Sequence, residues 1–223
     1  MSVHFEQELD ELKKKLLVMA SNTESAVTRA IRAFTDRDDD LARRVKEDDS
    51  ILDEFEKEID ELSIRLLAKA PLASELRLIT VAMKICHDLE RVGDEATTIS
   101  RRVIELNQEP KLHTEVDIPN MASMGLAMLK EALEAFVGRD TARARGIIPR
   151  DKQIDSLNKQ LHRELASYMV ERPSTITHCL NLMTISRSLE RIGDHATNIA
   201  EEVVYLHEGE DIRHDPQVKK GGA

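Results

Sequence analysis

The chain of 223 residues carries 32 Lys and Arg against 42 Asp and Glu, a formal charge of −10, with 33% of its residues charged and only 3% aromatic. This balance argues against sequence-independent nucleic-acid binding, which needs a cationic surface. No apolar run approaches the ~18–20 residues of a membrane span. The two cysteines, Cys86 and Cys179, exclude a disulfide framework. Met1 to Glu6 lacks the basic and apolar regions of a secretory signal, and 41% hydrophobic content is enough for a core, so a soluble, cytoplasmic chain is expected.

Strand signals are scarce. Apolar residues recur at steps of three and four, which predicts an all-α fold. Six helices are expected, over roughly 4–36, 38–69, 73–107, 118–139, 140–170 and 174–208. The first ends in the polar run Asp36-Arg37-Asp38-Asp39-Asp40, a turn with an N-cap for the second. The second helix carries the seam Val45, Leu52, Phe55, Ile59, Leu62 and Leu66 and stops before Pro71. The third carries Ile85, Leu89, Val92, Ala96, Ile99, Val103 and Leu106, stepping four and three as in helices that cross at a shallow angle. A polar link follows from Asn107 to Pro119. Met121, Met124 and Met128 place the fourth helix against the core, and Pro149 should kink or interrupt the fifth. The sixth, after Pro173, repeats the seam of the third as Ile185, Leu189, Ile192, Ala196, Ile199, Val203 and Leu206. The polar stretch 209–223 reads as a disordered tail.

The chain repeats itself. DLERVGDEATTISRRVIEL at 88–106 and SLERIGDHATNIAEEVVYL at 188–206 match at ten of nineteen positions, at an offset of 100. Upstream, Phe34/Phe136, Arg37/Arg139, Asp38/Asp140, Asp49/Asp151 and Asp53/Asp155 align at an offset of 102, as do Pro71 and Pro173. A tandem duplication of an antiparallel three-helix bundle accounts for this. The repeats are assigned to 1–109 and 118–208, with a linker at 110–117 and the tail at 209–223.

Two acidic pairs survive the duplication. Glu90 and Asp94 recur as Glu190 and Asp194, four apart on one helix face and off the apolar seam. Asp49 and Asp53 recur as Asp151 and Asp155. Asp53 and Asp49 lie 18 and 22 residues before Pro71, and Glu90 and Asp94 lie 19 and 23 after it. An antiparallel hairpin therefore brings four carboxylates to one level, and the second unit does the same within a residue or so. Four clustered carboxylates repel, and a retained repulsion suggests a divalent cation, for which carboxylate oxygens are suitable ligands. His87 shares the face of Glu90 and Asp94 and could add a nitrogen, and Asn198 could add an oxygen beyond Asp194. Against this, Arg91 and Arg191 sit beside each motif and could neutralise it on a solvated surface. Gly93 and Gly193, inside helices at a cost of about 1 kcal/mol each, fit either close helix packing or room beside a metal cluster.

There is no HExxH, no phosphate-binding Gly-rich loop and no Glu-x-x-His. No nucleophile–base constellation can be argued, so no catalytic residue is assigned. Cys86 and Cys179 read as buried structural thiols.

Leu89-Glu90-Arg91-Val92-Gly93-Asp94-Glu95-Ala96 and Leu189-Glu190-Arg191-Ile192-Gly193-Asp194-His195-Ala196 resemble the paired signatures of the PhoU family, and the likeness extends to Pro71-Leu72-Ala73-Ser74-Glu75-Leu76-Arg77. The resemblance implies two three-helix bundles related by a pseudo-two-fold axis. It implies a cytoplasmic, non-enzymatic negative regulator of phosphate-starvation signalling, linking the ATPase subunit of a phosphate ABC transporter to a sensor histidine kinase. It further implies a homodimer that meets the membrane only through its partners. It implies divalent metal, iron or zinc first and magnesium or manganese next, on Asp49, Asp53, Glu90, Asp94, Asp151, Asp155, Glu190 and Asp194. A metal-dependent enzyme or a metal-storage bundle is the competing reading.

Overall fold

The computed structural model describes residues 3–70, 72–110, 112 and 117–213, and Pro71 lies outside this set. Among the described residues every regular element is helical: α1 (Val3–Asp36), α2 (Asp39–Glu47), α3 (Asp49–Leu67), α4 (Ala73–Leu106), α5 (Ile118–Gly138), α6 (Thr141–Ile147), α7 (Asp151–Glu171) and α8 (Ile176–Glu208). Short 3₁₀ turns cover Ile148–Arg150 and Pro173–Thr175. The all-α expectation and its duplicated triplet hold. Of the six expected helices, the second and fifth are each divided in two.

The divisions have different local causes and one shared tertiary device. Pro149 brings no N–H to the ladder, and the chain passes through the 3₁₀ turn before α7 starts. No proline marks the break at Asp48, which falls inside an expected continuous helix. There Arg29 Nη1 of α1 donates to Asp48 Oδ2 at 2.5 Å. In the second repeat the equivalent positions are Glu131 and Arg150, and Arg150 Nη1 donates to Glu131 Oε2 at 2.6 Å. The same joint is pinned by an ion pair of opposite polarity.

The corners before each divided helix are built alike. Arg37 and Arg139 both take left-handed backbone, each at φ 56°. The next residue's N–H reaches back five positions, Asp38 to Ala33 O and Asp140 to Ala135 O, both at 3.0 Å. Asp38 Oδ1 then accepts from Leu41 N and Asp140 Oδ1 from Arg143 N, which caps α2 and α6. Glu75 caps α4 by accepting from Leu72 N at 3.3 Å, and its own side chain is buried.

The apolar seams meet in one continuous core. All seven seam residues of α4 are buried, as are those of α8 apart from the partly buried Leu206. Met121 and Met128 are buried and Met124 lies against the core, while Cys86 and Cys179 are buried free thiols. Full burial of a Leu or Ile contributes about 1.5–3 kcal/mol, so the two seams stabilise the fold together with Leu12, Leu16 and Met19 of α1 and Ile59, Leu62 and Leu66 of α3, which are buried as deeply. The long helices α4 and α8 pack against each other through the middle, with α1 and α3 on α4, α5 and α7 on α8, and α1 touching α5. Residues 209–213, placed by composition in the tail, are ordered enough for Ile212 to be buried at 1% exposure, and 214–223 lie outside the described residues. Among the described residues no helix is long and apolar enough to cross a membrane.

Candidate metal centre

Asp49 opens α3 and is half-buried, and Asp53 lies one turn further on and is exposed. Glu90 and Asp94 face them from α4. Burial pushes the Asp49 carboxyl up, and the neighbouring Asp94 and Asp53 push it further. Burial likewise raises Glu90, with Asp94 next and Glu56 adding to it. In the second repeat burial raises Glu190, followed by Asp194 and then Asp155. The carboxylates of each hairpin therefore sit close enough to resist common ionisation.

The helices approach closely where the glycines stand. A Cβ at Gly93 would fall far inside contact with Leu52 Cδ1 of α3, and Asp49 Oδ1 would be 3.9 Å away. A Cβ at Gly193 would lie 3.0 Å from Ile154 Cδ1 and 3.1 Å from Asp151 Oδ1 of α7. Leu52 and Ile154 are repeat equivalents. The paired glycines thus serve close helix packing, and they let the first carboxylate of α3 and α7 stand over the backbone of α4 and α8.

The arginines beside the motifs behave differently. Arg91 Nε lies 3.3 Å from Glu90 Oε2 and its Nη1 donates to Asp94 Oδ2 at 3.1 Å. Arg191 instead reaches across to α4 and donates to Glu95 Oε1 at 3.0 Å. Asp155 lies 3.5 Å from Lys159 Nζ. Asn198, expected beside Asp194, donates from Nδ2 to Asp88 Oδ1 at 3.2 Å.

The eight carboxylates fit a divalent cation by donor chemistry. They are oxygen ligands on facing helices, several are held against ionisation by one another, and Glu90 Oε2 is buried with no hydrogen-bond donor. One trio of ligand-type side chains converges tightly among the described residues. Glu56 of α3 joins His87 and Glu90 of α4, with one ligand atom of each within 4.8 Å of the others.

A second polar layer escaped the sequence reading. It runs between α4 and α8, where Asp88 Oδ1 lies 2.8 Å from His195 Nδ1, and Lys84 Nζ donates to Glu202 at 2.9 and 3.0 Å. Asp88, Glu95 and Glu202 are all buried. Their signal was spacing: Lys84, Asp88 and Glu95 step by four and seven along α4 and so share one face.

These features define a duplicated all-helical bundle with a carboxylate cluster in each half and a buried ionic layer between the halves. A family model described as the PhoU domain matches residues 16–103 and again 118–203. The chain belongs to the PhoU family. It is 42% identical over 215 residues to the phosphate-specific transport system accessory protein PhoU homolog of Pseudomonas aeruginosa, covering 96% of this chain and 89% of that protein. To the phosphate-specific transport system accessory protein PhoU of Escherichia coli K12 it is 36% identical, with the same coverage. The crystal structure of PhoU from Pseudomonas aeruginosa superposes with a TM-score of 0.89 at 42% identity, covering 92% of this chain and 100% of that one. The phosphate transport system regulatory protein PhoU from Streptococcus pneumoniae gives a TM-score of 0.87 at 31% identity, covering 93% and 98%.

Proposed function

We propose that this chain is the accessory regulator of a phosphate-specific transport system and represses phosphate-starvation signalling when phosphate is abundant. The observation that carries the reading is the domain matched twice along a chain whose relatives, matched over most of their length, are named accessory proteins of a phosphate-specific transport system. In this reading it is a cytoplasmic, non-enzymatic adaptor. One contact is the ATPase subunit of the transporter, the other a sensor histidine kinase, and the working unit is a homodimer. The acidic surface suits a basic patch on a partner.

Divalent metal belongs to the same proposal. Asp49, Asp53, Glu90 and Asp94 would hold it in the first repeat, and Asp151, Asp155, Glu190 and Asp194 in the second. Iron or zinc is favoured, with magnesium or manganese as alternatives. Bound cations supply charge neutralisation. The chain's own part is to hold carboxylates of α3 against α4, and of α7 against α8, at a separation set by Gly93 and Gly193.

The test is a deletion in the native host grown in abundant phosphate, read by alkaline phosphatase or transporter transcript. Derepression is expected. Unchanged expression, with no second copy of the gene present, would refute the regulatory role.

A further inference from the structure

The two halves carry the same acidic motifs, yet their surroundings differ at two positions. In the first half Glu56 lies one turn beyond Asp53 on α3, and His87 lies one turn before Glu90–Arg91 on α4. The repeat equivalents are Asn158 and Arg187. Asn158 Oδ1 is already engaged, accepting from Ser186 Oγ at 2.6 Å, and Arg187 is a fixed cation. At these two positions the second half therefore offers no imidazole; its α7 histidine, His162, lies a turn further on with Nε2 3.4 Å from Met183 O of α8, and Glu56, His87 and Glu90 form the one such trio among the described residues.

The geometry points to a mixed nitrogen–oxygen metal site at Glu56, His87 and Glu90, selective for a borderline divalent ion such as zinc and absent from the second half. This deepens the metal-binding part of the reading above and is separable from it, since Glu90 alone is shared with the eight-carboxylate set.

Several observations converge on it. One ligand atom from each residue already lies within 4.8 Å of the others. His87 Nδ1 is 3.6 Å from Glu56 Oε1, which is too far for a hydrogen bond, so neither group is satisfied by the other. Zinc bonds of about 2.0–2.2 Å to nitrogen and oxygen require only small rotamer shifts from that spacing. Glu90 Oε2 is buried without a hydrogen-bond donor and is ion-paired with Arg91 Nε at 3.3 Å. Glu56 and His87 open onto a groove of about 530 Å³ that they line with Asp60, Lys84, Asp88 and Arg213, while Glu90 stands outside its walls.

The ligand roles follow from the atoms. His87 binds through the Nδ1 lone pair, with the ring proton on Nε2. Glu56 and Glu90 each give one carboxylate oxygen, and water completes the shell. Arg91 then keeps Asp94, its partner at 3.1 Å, and gives up its approach to Glu90. Imidazole favours zinc and iron(II) over magnesium, whereas the second half, with oxygen donors and Arg187 nearby, has no such preference.

The experiment uses the full-length protein stripped with chelator and titrated with zinc against a chromophoric competitor, while the histidine rings are followed by ¹⁵N NMR. The first equivalent of zinc should perturb the His87 ring, which is identified by its absence in His87→Gln. His87→Gln and Glu56→Gln should each weaken that equivalent by more than about tenfold, the lower end of what even an outer-shell loss costs. His87 is 58% exposed in its side chain, so its substitution should leave the fold intact. Unchanged affinity in His87→Gln overturns the inference. If Asp53→Asn with Asp94→Asn abolishes tight zinc while His87→Gln does not, the inference falls and the carboxylate reading stands. If His87→Gln abolishes it while the Asp pair is dispensable, the inference stands alone. No zinc binding by the parent overturns the inference, and binding of iron(II), magnesium or manganese by that same protein would leave the carboxylate reading standing.

Discussion

Gly93→Ala tests how tightly α3 is set against α4. Alanine adds about 1 kcal/mol of helix propensity over glycine. Its methyl, however, would fall far inside contact with Leu52 Cδ1, where carbon pairs are optimal near ~3.5–4.0 Å. Leu52 is itself buried at 4% exposure and has little room to swing away. Overpacking of this kind costs about 1–3 kcal/mol, so the net loss should be about 0–2 kcal/mol. For a chain of this size that is a fall of up to about 8 °C in Tm. Leu52→Ala alone should cost about 2–5 kcal/mol. In that background the added methyl meets open space, so Gly93→Ala should become stabilising by about 1 kcal/mol. Urea unfolding of the parent, both single variants and the double variant, followed by circular dichroism, closes the cycle. The expected coupling is about 1–3 kcal/mol. Equal effects of Gly93→Ala in both backgrounds would refute the packing account of the glycine. At Gly193 the nearest contacts are 3.0 and 3.1 Å, so Gly193→Ala should be the milder of the two.

Arg29→Glu places a carboxylate against Asp48 and should destabilise by about 1 kcal/mol, and adding Asp48→Arg should recover most of it; denaturant midpoints that stay low in the double variant would contradict the charge-swapped joint. Glu190 has its carboxyl raised in the folded state, so the fold binds that proton more tightly than the unfolded chain, and the resulting stability is lost as pH climbs from the ordinary carboxyl value through the folded one. Metal-free Glu190→Gln should therefore be more stable than the parent at pH 7, with the gain vanishing below about pH 4.3; urea midpoints across that window check it. Asp94→Ala with Asp194→Ala should lower bound metal, measured by elemental analysis, while leaving the helical signal nearly intact, and equal metal content in variant and parent would refute the ligand assignment.

Much of the fold was legible because its information is local. The seams of α4 and α8 step by four and three, and Asp38 and Asp140 announce caps within a few residues of the helices they start. The break at Asp48 was not legible, because it depends on Arg29 from another helix and no residue at the break forbids helix. The acidic pairs were legible through repetition, since Glu90/Asp94 and Glu190/Asp194 hold register while their neighbours drift. Their setting was not. A heptad count places Glu90 off the seam, which describes a helix with one neighbour. α4 has neighbours on several sides, so Glu90 is partly buried and Asp88 and Glu95 are fully so. Glu56 and His87 stand on different helices, 31 positions apart in the chain, and neither recurs in the second half.

The ionic layer between α4 and α8 changes meaning once its repeat equivalents are compared. In a pair of identical chains about a two-fold axis, every contact across the axis occurs twice. Here Asp88 meets His195, while the mirror positions hold Ser188 and Glu95, and Lys84 meets Glu202, while the mirror positions hold Thr184 and Arg102. Each ionic contact is present once and has no twin. Two copies of either half could not rebuild these two contacts, because first-half copies would lack His195 and Glu202 and second-half copies would lack Lys84 and Asp88; the third, Arg191 to Glu95, keeps both of its residue types in the first half as Arg91 and Glu95. The joining of the halves in one polypeptide is thus written into their chemistry as well as their connectivity.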